Sequence, residues 1–299
     1  MTLSGGGSVT GSGYTGTVTI SGSDAVTVSS NTLASGAKLQ LGTGSTLNLS
    51  GVITNNITFT GGTLAGNKEF YTGTLSVESG SVYRENDIFG GDVQLKDGAT
   101  LAGSGTFLGD VSVATGTKLA PGNSPGNLNI SGDLALAGGA QLQLQVLNVV
   151  GTFGGDGIAG TDYDTITVGG QLDLSALSVS SKFLIELLSI NGSDAQAMAG
   201  GFDPQVSFSL AVFNYGTLYL GDNSLEDIFS LITDTPGSSF IGQNGQSVSA
   251  NLFSWFNDTQ NNTIRLNYTA VPEPSTYGLI LGGLVLAGAA IRRRRRAKA

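Results

Sequence analysis

The sequence has no cysteine and no histidine, and it contains few prolines. Without Cys among its 299 residues, the chain has no disulfide framework, no thiolate nucleophile and no zinc–thiolate site. Without His, a Ser-His-Asp triad and imidazole metal ligands are excluded. Only 6 residues are Pro, and Gly follows no three-residue period, which excludes collagen and Pro-rich linkers. Most hydrolase and metalloenzyme chemistry is thereby removed.

Charged side chains are scarce as well, at 12% of the residues, whereas hydrophobic residues make up 39% and Gly alone accounts for 47 positions. This balance is too apolar and too weakly charged for a disordered chain. The length allows one large all-β domain or two ordinary domains, so there is enough chain to bury a core.

The charge is distributed unevenly along the chain. Six of the 13 basic residues lie in the last eight positions, so the preceding 291 residues carry 7 basic and 22 acidic side chains, a net charge of −15. A body this acidic repels phosphate backbones, which predicts that the protein does not bind nucleic acid. The basic cluster at the C-terminus needs a separate explanation.

Short stretches of alternating aliphatic and polar residues recur throughout the segment 1–180. A small residue precedes a pattern of the type x-Leu-x-Leu, as at 37–41 and 45–49. Period two places the aliphatic side chains on one face of a strand and the polar ones on the other. Further copies lie at 73–77, 99–102, 126–130, 132–136, 140–146 and 170–174.

Strands of about five residues bury too little surface alone, but coils stacked on one another share a continuous aliphatic column. We therefore predict an all-β fold with a right-handed-type β-solenoid (parallel β-helix) over residues 1–180. Roughly 20 to 25 residues per coil would give a rod of about 40 Å. A β-sandwich with longer strands is the structural alternative.

The composition changes after residue 180, since 11 of the 22 aromatic residues lie between Phe202 and Tyr268. We predict a β-rich cap module over 181–270 that closes the open end of the solenoid. Within it, the segment 224–232 begins with a capping-box pattern, Ser224 to Asp227, and is the best candidate for a short helix. Trp255 could stack on sugars, but strand spacing separates Phe253 and Trp255 from Phe256 and favours a buried core.

The last 29 residues, 271–299, combine three features in order. A Pro-Glu-Pro motif precedes 15 uncharged residues, 277–291, which as a helix would span about 22 Å and allow a transient membrane crossing. Arginines directly after the apolar run place the C-terminus in the cytoplasm and the body outside. The motif is Pro272, Glu273 and Pro274; the short transmembrane helix includes Tyr277, Leu279, Leu281, Leu284, Leu286 and Ile291; the stop is Arg292, Arg293, Arg294, Arg295 and Arg296.

This order of motif, apolar segment and Arg run resembles the PEP-CTERM sorting signal of Gram-negative bacteria. The resemblance implies that an exosortase, a membrane cysteine transpeptidase-like enzyme, recognises the tail in the inner membrane and cuts near the Pro-Glu-Pro motif. It further implies that the body goes on to the envelope or the extracellular matrix. Such proteins need an N-terminal export signal, and the chain opens without a basic or apolar leader, so we expect the sequence to be a fragment or a late-started gene model.

Residues 99–146, with the turn Leu-Ala-Pro-Gly-Asn-Ser-Pro-Gly at 119–126, are similar to the autotransporter-associated β-strand repeat of bacterial surface proteins. Combined with the sorting tail, this looks like the large repeat proteins of verrucomicrobial-type bacteria. The resemblance implies a surface protein built on stacked β-repeats.

Candidates for site chemistry are few. Asp156, Asp162 and Asp164 could offer oxygen ligands to Ca²⁺, but Ala159 stands where a calcium-binding nonapeptide repeat has Asp, so a polar turn is preferred. Arg84 with Asp87 and Asp92 is the only set that suits a polysaccharide lyase, and a solvated loop with surface ion pairs explains it as well. We predict no catalytic residue, no metal and no cofactor.

The sequence thus predicts an exported, non-enzymatic structural protein of the cell surface or extracellular matrix. Its predicted partners are an exosortase, the inner membrane transiently, and an envelope polysaccharide bound along rows of Thr, Asn and Gln side chains. A β-helix carbohydrate-active enzyme (polysaccharide lyase or glycoside hydrolase) and a surface adhesin are the alternatives.

Overall fold

A computed structural model describes residues 2–4, 7–9, 14–23, 25–30, 33–34, 36–122, 124–150, 156–235, 238–243 and 245–271. These residues form 27 strands, one four-residue α-helix and two short 3₁₀ turns. The predicted all-β class is confirmed.

The strands are short in the first half of the chain and lengthen in the second half. In chain order the first fifteen are β1 (Thr2–Ser4), β2 (Gly7–Val9), β3 (Thr17–Ser21), β4 (Ala25–Ser29), β5 (Lys38–Leu41), β6 (Thr46–Ser50), β7 (Ile57–Phe59), β8 (Thr63–Gly66), β9 (Thr74–Val77), β10 (Val82–Arg84), β11 (Ile88–Phe89), β12 (Asp92–Leu95), β13 (Thr100–Gly103), β14 (Thr106–Phe107) and β15 (Val111–Val113). The others are β16 (Lys118–Pro121), β17 (Asn127–Ile130), β18 (Leu134–Leu136), β19 (Gln141–Val146), β20 (Thr165–Asp173), β21 (Phe183–Ser189), β22 (Phe208–Tyr219), β23 (Phe229–Ile232), β24 (Asp234–Thr235), β25 (Ser238–Ser239), β26 (Phe253–Asp258) and β27 (Thr263–Tyr268). The helix α1 is Leu225–Ile228, and the 3₁₀ turns are Lys68–Phe70 and Ala250–Leu252.

Parallel pairing between successive coils organises residues 2–232, which we call the coil stack. Face 1 runs through β1, β3, β5, β7, β9, β12, β15, β18 and the ends of β20 and β22. Face 2 contains β2, β4, β6 and β8, then β10, β13, β16, β19, β21 and β23. Face 3 contains β11, β14, β17 and the first part of β20, onto which β22 pairs. This arrangement is consistent with the predicted β-solenoid, whereas a sandwich would pair antiparallel strands; the handedness of the coil stays a prediction.

The register shows why the alternating pattern folds in this way. On face 1, Ile57, Leu75, Val93 and Val111 occupy equivalent positions of four successive coils. All four are buried, at 2% exposure or less. The polar residues between them point outwards, so each coil adds its aliphatic side chains to one shared core. Face 1 has ten layers, which at about 4.8 Å per layer gives about 43 Å, close to the expected length.

Coil length is regular only in the middle of the stack. Equivalent positions such as Asp92 and Asp110 are 18 residues apart in the regular coils. Asp133 then follows Asp110 by 23 residues, and Gln171 follows Asp133 by 38 residues. The next coil is longer still, and the extra residues form the β16–β17 turn and the segments 147–164 and 190–207. The predicted spacing of roughly 20 to 25 residues therefore exceeds that of the regular coils.

The parallel pairing runs across residue 180, where we predicted the start of the cap. β21 pairs with β19 and β23 pairs with β21, so the stack reaches Ile232. Beyond it, β26 and β27 form an antiparallel pair, and β27 pairs with the first half of β22. These two strands lie against the last coil through an aromatic core of Phe202, Phe208, Phe240, Phe253 and Tyr268. We call residues 240–271 the closing hairpin region.

The predicted helix over 224–232 is only half formed. Ser224 and Asp227 occupy the two capping-box positions, and the Asp227 carboxylate accepts from the backbone N–H of Ser224. Ser224 Oγ also donates to Asp227 Oδ2 at 2.7 Å, and this hydrogen bond lowers the pKa of Asp227. The helix ends at Ile228 because Phe229 begins β23, which pairs in parallel with β21. Strand pairing with the previous coil thus overrides the helical pattern of the second half.

Candidate functional site

The chain leaves the body through a docked segment, residues 269–271, which follows β27. Thr269 N donates to Leu252 O at 2.8 Å and Ala270 N donates to Ser207 Oγ at 3.0 Å. Val271 N donates to Pro204 O at 2.8 Å. Each backbone N–H of this segment is therefore satisfied by the folded body rather than by solvent alone.

Tyr268 anchors the docked segment to the aromatic core. Its ring is 2% exposed and stacks on Phe208, with ring centres 5.0 Å apart. Its hydroxyl donates to Pro204 O at 3.1 Å, the same carbonyl that accepts from Val271. Burial, and to a smaller degree the charge of Asp203, raises the pKa of Tyr268, so the hydroxyl stays protonated and keeps donating.

The predicted sorting and membrane residues come directly after this segment and lie outside the described residues. They are Pro272, Glu273, Pro274, Tyr277, Leu279, Leu281, Leu284, Leu286, Ile291 and the arginines 292–296. Within the described part of the chain, none of the helices has the length and apolar character needed to cross a bilayer.

A groove of about 350 Å³ lies on the outer surface of face 1, across β12, β15, β18 and β20. Its lining is polar and acidic, and it includes Asp92, Gln94, Asp110, Asp133, Gln171 and Asp173. Carboxylate and amide groups in a shallow groove suit hydrogen bonding to hydroxyl-rich molecules. The acidic row also disfavours polyanions, since like charges repel along the whole groove.

Three of these carboxylates form a ladder that links successive coils. Asp110 N donates to Asp92 Oδ1 at 3.0 Å, Asp133 N donates to Asp110 Oδ1 at 2.8 Å, and Gln171 N donates to Asp133 Oδ1 at 2.7 Å. Each aspartate thus caps the backbone of the next coil at the start of its face 1 strand. Only one carboxylate oxygen is used in each of these bonds.

A glycine precedes every ladder position for a steric reason. A Cβ added at Gly109 would collide with the Asp92 carboxylate, and one at Gly132 would collide with that of Asp110. The sequence pattern Gly-Asp-aliphatic-x-aliphatic at 91–95, 109–113 and 132–136 therefore carries the ladder. The aliphatic alternation alone does not mark this motif, because the Gly and Asp come just before the alternating residues.

The three aspartates considered for Ca²⁺ have separate structural roles. Asp156 Oδ2 accepts from Arg265 Nη2 at 3.0 Å, and its Oδ1 accepts from Ser209 N at 3.0 Å. Asp162 Oδ2 accepts from Ile158 N at 2.7 Å inside a turn. Asp164, which is 1% exposed, is the most buried of the three. The described residues hold no group of three or more acidic side chains placed to bind a metal ion.

Asp164 joins three parts of the coil stack. Its Oδ1 accepts from Gly126 N at 2.7 Å and its Oδ2 accepts from Gln145 N at 2.9 Å, just before β20 begins. Burial raises its pKa to about 7, against the opposing effect of the two N–H donors. The carboxyl group therefore holds the end of the inserted segment 147–164 to β17 and β19.

The residues considered for a lyase do not come together. Arg84 lies in β10 on face 2, whereas Asp92 opens β12 on face 1 and belongs to the aspartate ladder. Asp87 is largely exposed, with its carboxylate 3.7 Å from Lys68 Nζ. The neighbouring Glu85 has no place in a solvated loop, because its side chain is only 1% exposed.

Glu85 is instead the centre of a buried polar cluster. Its Oε1 accepts from Lys68 Nζ at 2.6 Å and from two backbone N–H groups, and its Oε2 accepts from Tyr83 OH at 2.8 Å. Burial, followed by the negative charge of Glu85, raises the pKa of Tyr83 well above its usual range. Glu85 is therefore a buried partner of Lys68 and Tyr83 and not part of a solvated loop.

The aromatic residues of β26 divide as predicted. Phe253 is buried, Trp255 is half-buried against Phe229 at 4.9 Å between ring centres, and Phe256 is 51% exposed. Phe253 and Trp255 therefore pack on the core of the closing hairpin region, and Phe256 is the most exposed aromatic residue of this strand.

The docked segment overlaps the start of a region of the chain that matches a known protein family. Residues 270–296 match the PEP-CTERM protein-sorting motif. The match begins at docked Ala270 and runs through the predicted Pro-Glu-Pro motif to Arg296. It confirms the predicted sorting motif and indicates an exported protein that is recognised by an exosortase and sorted to the cell surface.

No curated protein and no solved structure matches the chain. The resemblance of residues 99–146 to autotransporter-associated repeats stays a prediction.

Proposed function

We propose that this protein is a non-enzymatic structural component of the cell surface or extracellular matrix, released to it when an exosortase processes its PEP-CTERM tail. The observation that carries the proposal is the PEP-CTERM motif at 270–296, placed directly after a folded, acidic β-rich body. The body carries a net charge of −15 before the terminal basic cluster, which suits an exported and soluble particle.

The tail would act through length and charge. If residues 277–291 form a helix, it would reach about 22 Å, less than the roughly 30 Å hydrocarbon core, and would hold the precursor in the inner membrane only briefly. The five arginines that follow resist transfer across the bilayer and keep the C-terminus in the cytoplasm. The Pro-Glu-Pro motif then lies on the outer side, next to the folded body, where the membrane enzyme acts.

The body would act through its surface. Polar residues at one outward register position of face 1 form a row with one side chain per layer, about 4.8 Å apart. Such rows offer repeated hydrogen-bonding groups to a polysaccharide chain, and the coil would be right-handed and of the autotransporter-associated type. The row is Thr19, Gln40, Thr58, Ser76, Gln94 and Ser112.

The sorting part is tested by replacing Arg292 to Arg296 with Gln in the full chain and following the protein in its own cells. We expect the wild type to be shortened and found outside the inner membrane, and the variant to stay full-length in the cell. The matched control is Arg84→Gln, which changes one exposed arginine of β10 and should be sorted as the wild type. Unchanged size and location of the Gln variant would contradict the proposal.

The groove on face 1 favours a second candidate, a carbohydrate-active enzyme, because it places several carboxylates beside polar side chains on one surface. The two candidate functions differ in whether the protein cleaves the polysaccharide that it binds. The structural proposal expects the mature protein to sediment with envelope polysaccharide and leave its length unchanged. Shortening of the polymer that is lost in Asp110→Asn and Asp133→Asn would support the enzyme instead.

A further inference from the structure

The PEP-CTERM motif starts within the docked segment, so the body limits how far the motif can move. Val271 is bound to Pro204 O, and the apolar segment begins six residues later at Tyr277. Six extended residues span at most about 21 Å. If residues 269–271 left the body, the free chain would begin after Tyr268 and nine residues would span about 31 Å.

We propose that the turn from Pro204 to Ser207 is a positioning element that slows processing of the tail. It holds Ala270 and Val271 on the folded body, and the enzyme reaches the motif fully only when this segment is released. The inference rests on the proposed function, because it concerns the regulation of the same processing step.

Steric access is the first reason. An enzyme that cleaves a peptide bond must surround several extended residues on both sides of that bond. Here the folded body begins one residue before Pro272, and the backbone N–H groups of Ala270 and Val271 are already used within the protein. Cleavage of a segment held in this way follows the population of its released form.

The position of the contact makes release feasible without unfolding the body. Ser207 is exposed and Val271 is 42% exposed, so the docked segment lies at the surface. Tyr268 is buried in the aromatic core, so the release stops there and β27 stays paired with β22. Surface segments held by a few hydrogen bonds open far more often than the core.

Ser207→Ala tests the contact without changing the motif itself. It removes the acceptor of the Ala270 N–H, and the loss of one such net hydrogen bond raises the released population about fivefold. In the full chain, pulse-chase labelling in the producing cells should therefore show faster conversion to the short form, by up to about fivefold. Ser193→Ala, at an exposed serine of the β21–β22 loop, is the matched control.

A second variant lengthens the connection. About ten Gly and Ser residues inserted after Val271 add a mean reach of about 17 Å and leave the docking contacts in place. We expect this variant also to be processed faster than the wild type. The same insertion after Gly192, in the exposed β21–β22 loop, should be processed at the wild-type rate.

Hydrogen exchange separates docking from a general loss of stability. In Ser207→Ala, the amides of residues 269–271 should exchange faster while those of β27 stay protected. Equal or slower processing of Ser207→Ala, with exchange at 269–271 increased, would overturn the inference and leave the sorting proposal intact. A wild-type tail that is never removed would contradict the proposed function itself.

Discussion

The regular coils around β9, β12 and β15 differ from the end of the molecule in how they bury a core. In the regular coils the sequence advances 18 residues per layer, and side chains of one layer pack on the same positions of the next. Most of them are aliphatic, and the rings of Tyr71, Phe89 and Phe107 form a second repeating column. At the end, longer coils carry inserted segments, and aromatic rings from separate segments form a cluster in place of repeating columns.

The difference shows what a stacked fold needs at its end. A regular coil has a neighbouring layer on both sides, so side chains that repeat from layer to layer are sufficient to fill its core. The last coil has no further layer, and its unpaired edge and apolar end would promote association with other chains. Here β27 pairs antiparallel with β22, and rings such as Phe208 and Tyr268 close the core.

The largest expected effect is at the centre of that aromatic core. Phe208→Ala removes a ring that is 6% exposed and contacts Tyr268 and Phe253, and we expect a loss of about 4 kcal/mol in the free energy of unfolding. The matched control is Phe256→Ala on the exposed side of β26, which should cost about 0.5 kcal/mol or less. Urea denaturation of both variants measures this, and equal losses would contradict the closing role.

In the regular coils the corresponding change is Leu75→Ala. Leu75 is fully buried between Ile57 and Val93, so we expect a loss of about 3 kcal/mol. The outward neighbour Ser76→Ala is the control and should change stability little. Hydrogen exchange should rise mainly in β7, β9 and β12, because layers support their nearest neighbours. Uniform loss of protection across the stack would argue against layered stability.

Asp164 makes the stability of the longer coils depend on pH, because its carboxyl group holds an inserted segment to two coils. Its pKa in the folded protein is raised to about 7, so its stabilising contribution is complete below about pH 4 and is lost as the pH rises through about 7. Relative to Asp164→Asn, the wild type should therefore lose on the order of 3 to 4 kcal/mol between pH 4 and pH 8. Urea midpoints across this range measure it, and a constant difference would contradict the account.

The smallest effect is expected at the ion pair between Arg265 of β27 and Asp156. Both side chains are partly exposed, so Arg265→Gln should cost about 1 kcal/mol or less. The cost should shrink further at high salt, where exposed charges are screened. Denaturation at low and high ionic strength measures this. A loss of stability that is large and independent of salt would mean that this ion pair stabilises the end of the stack as much as the aromatic core around Phe208 does.

The parallel stack was predictable because strands of about five residues bury too little surface alone, which favours stacked coils over a sandwich of longer strands. All eight alternating stretches lie in strands, from β5 and β6 to β20. The pattern could not give the coil length after Leu134, because the insertions at 147–164 and 190–207 carry no repeat. Polar contacts between coils could not be predicted either. Lys68 contacts Glu85, which lies 17 residues later in the sequence, and no local motif indicates that the two side chains meet.

The sorting signal in the tail could be predicted from the sequence for a different reason. Insertion of a segment into a membrane, and retention of its charged end in the cytoplasm, depend on composition over a short contiguous stretch. The PEP-CTERM match at 270–296 covers the predicted motif, apolar segment and arginines. The docking of 269–271 was not readable, because Pro204 and Ser207 lie more than 60 residues earlier in the chain. Short contiguous signals are therefore predicted well, and contacts between distant turns are not.

The most direct test of the account is the intact mass of the mature protein isolated from the medium or the cell surface of its producing cells. The account predicts a mass that lacks the apolar segment and the arginines, with a C-terminus at or after Val271, so that β27 and the docked segment remain. A full-length mass in the mature protein, with the five arginines still present, would contradict it.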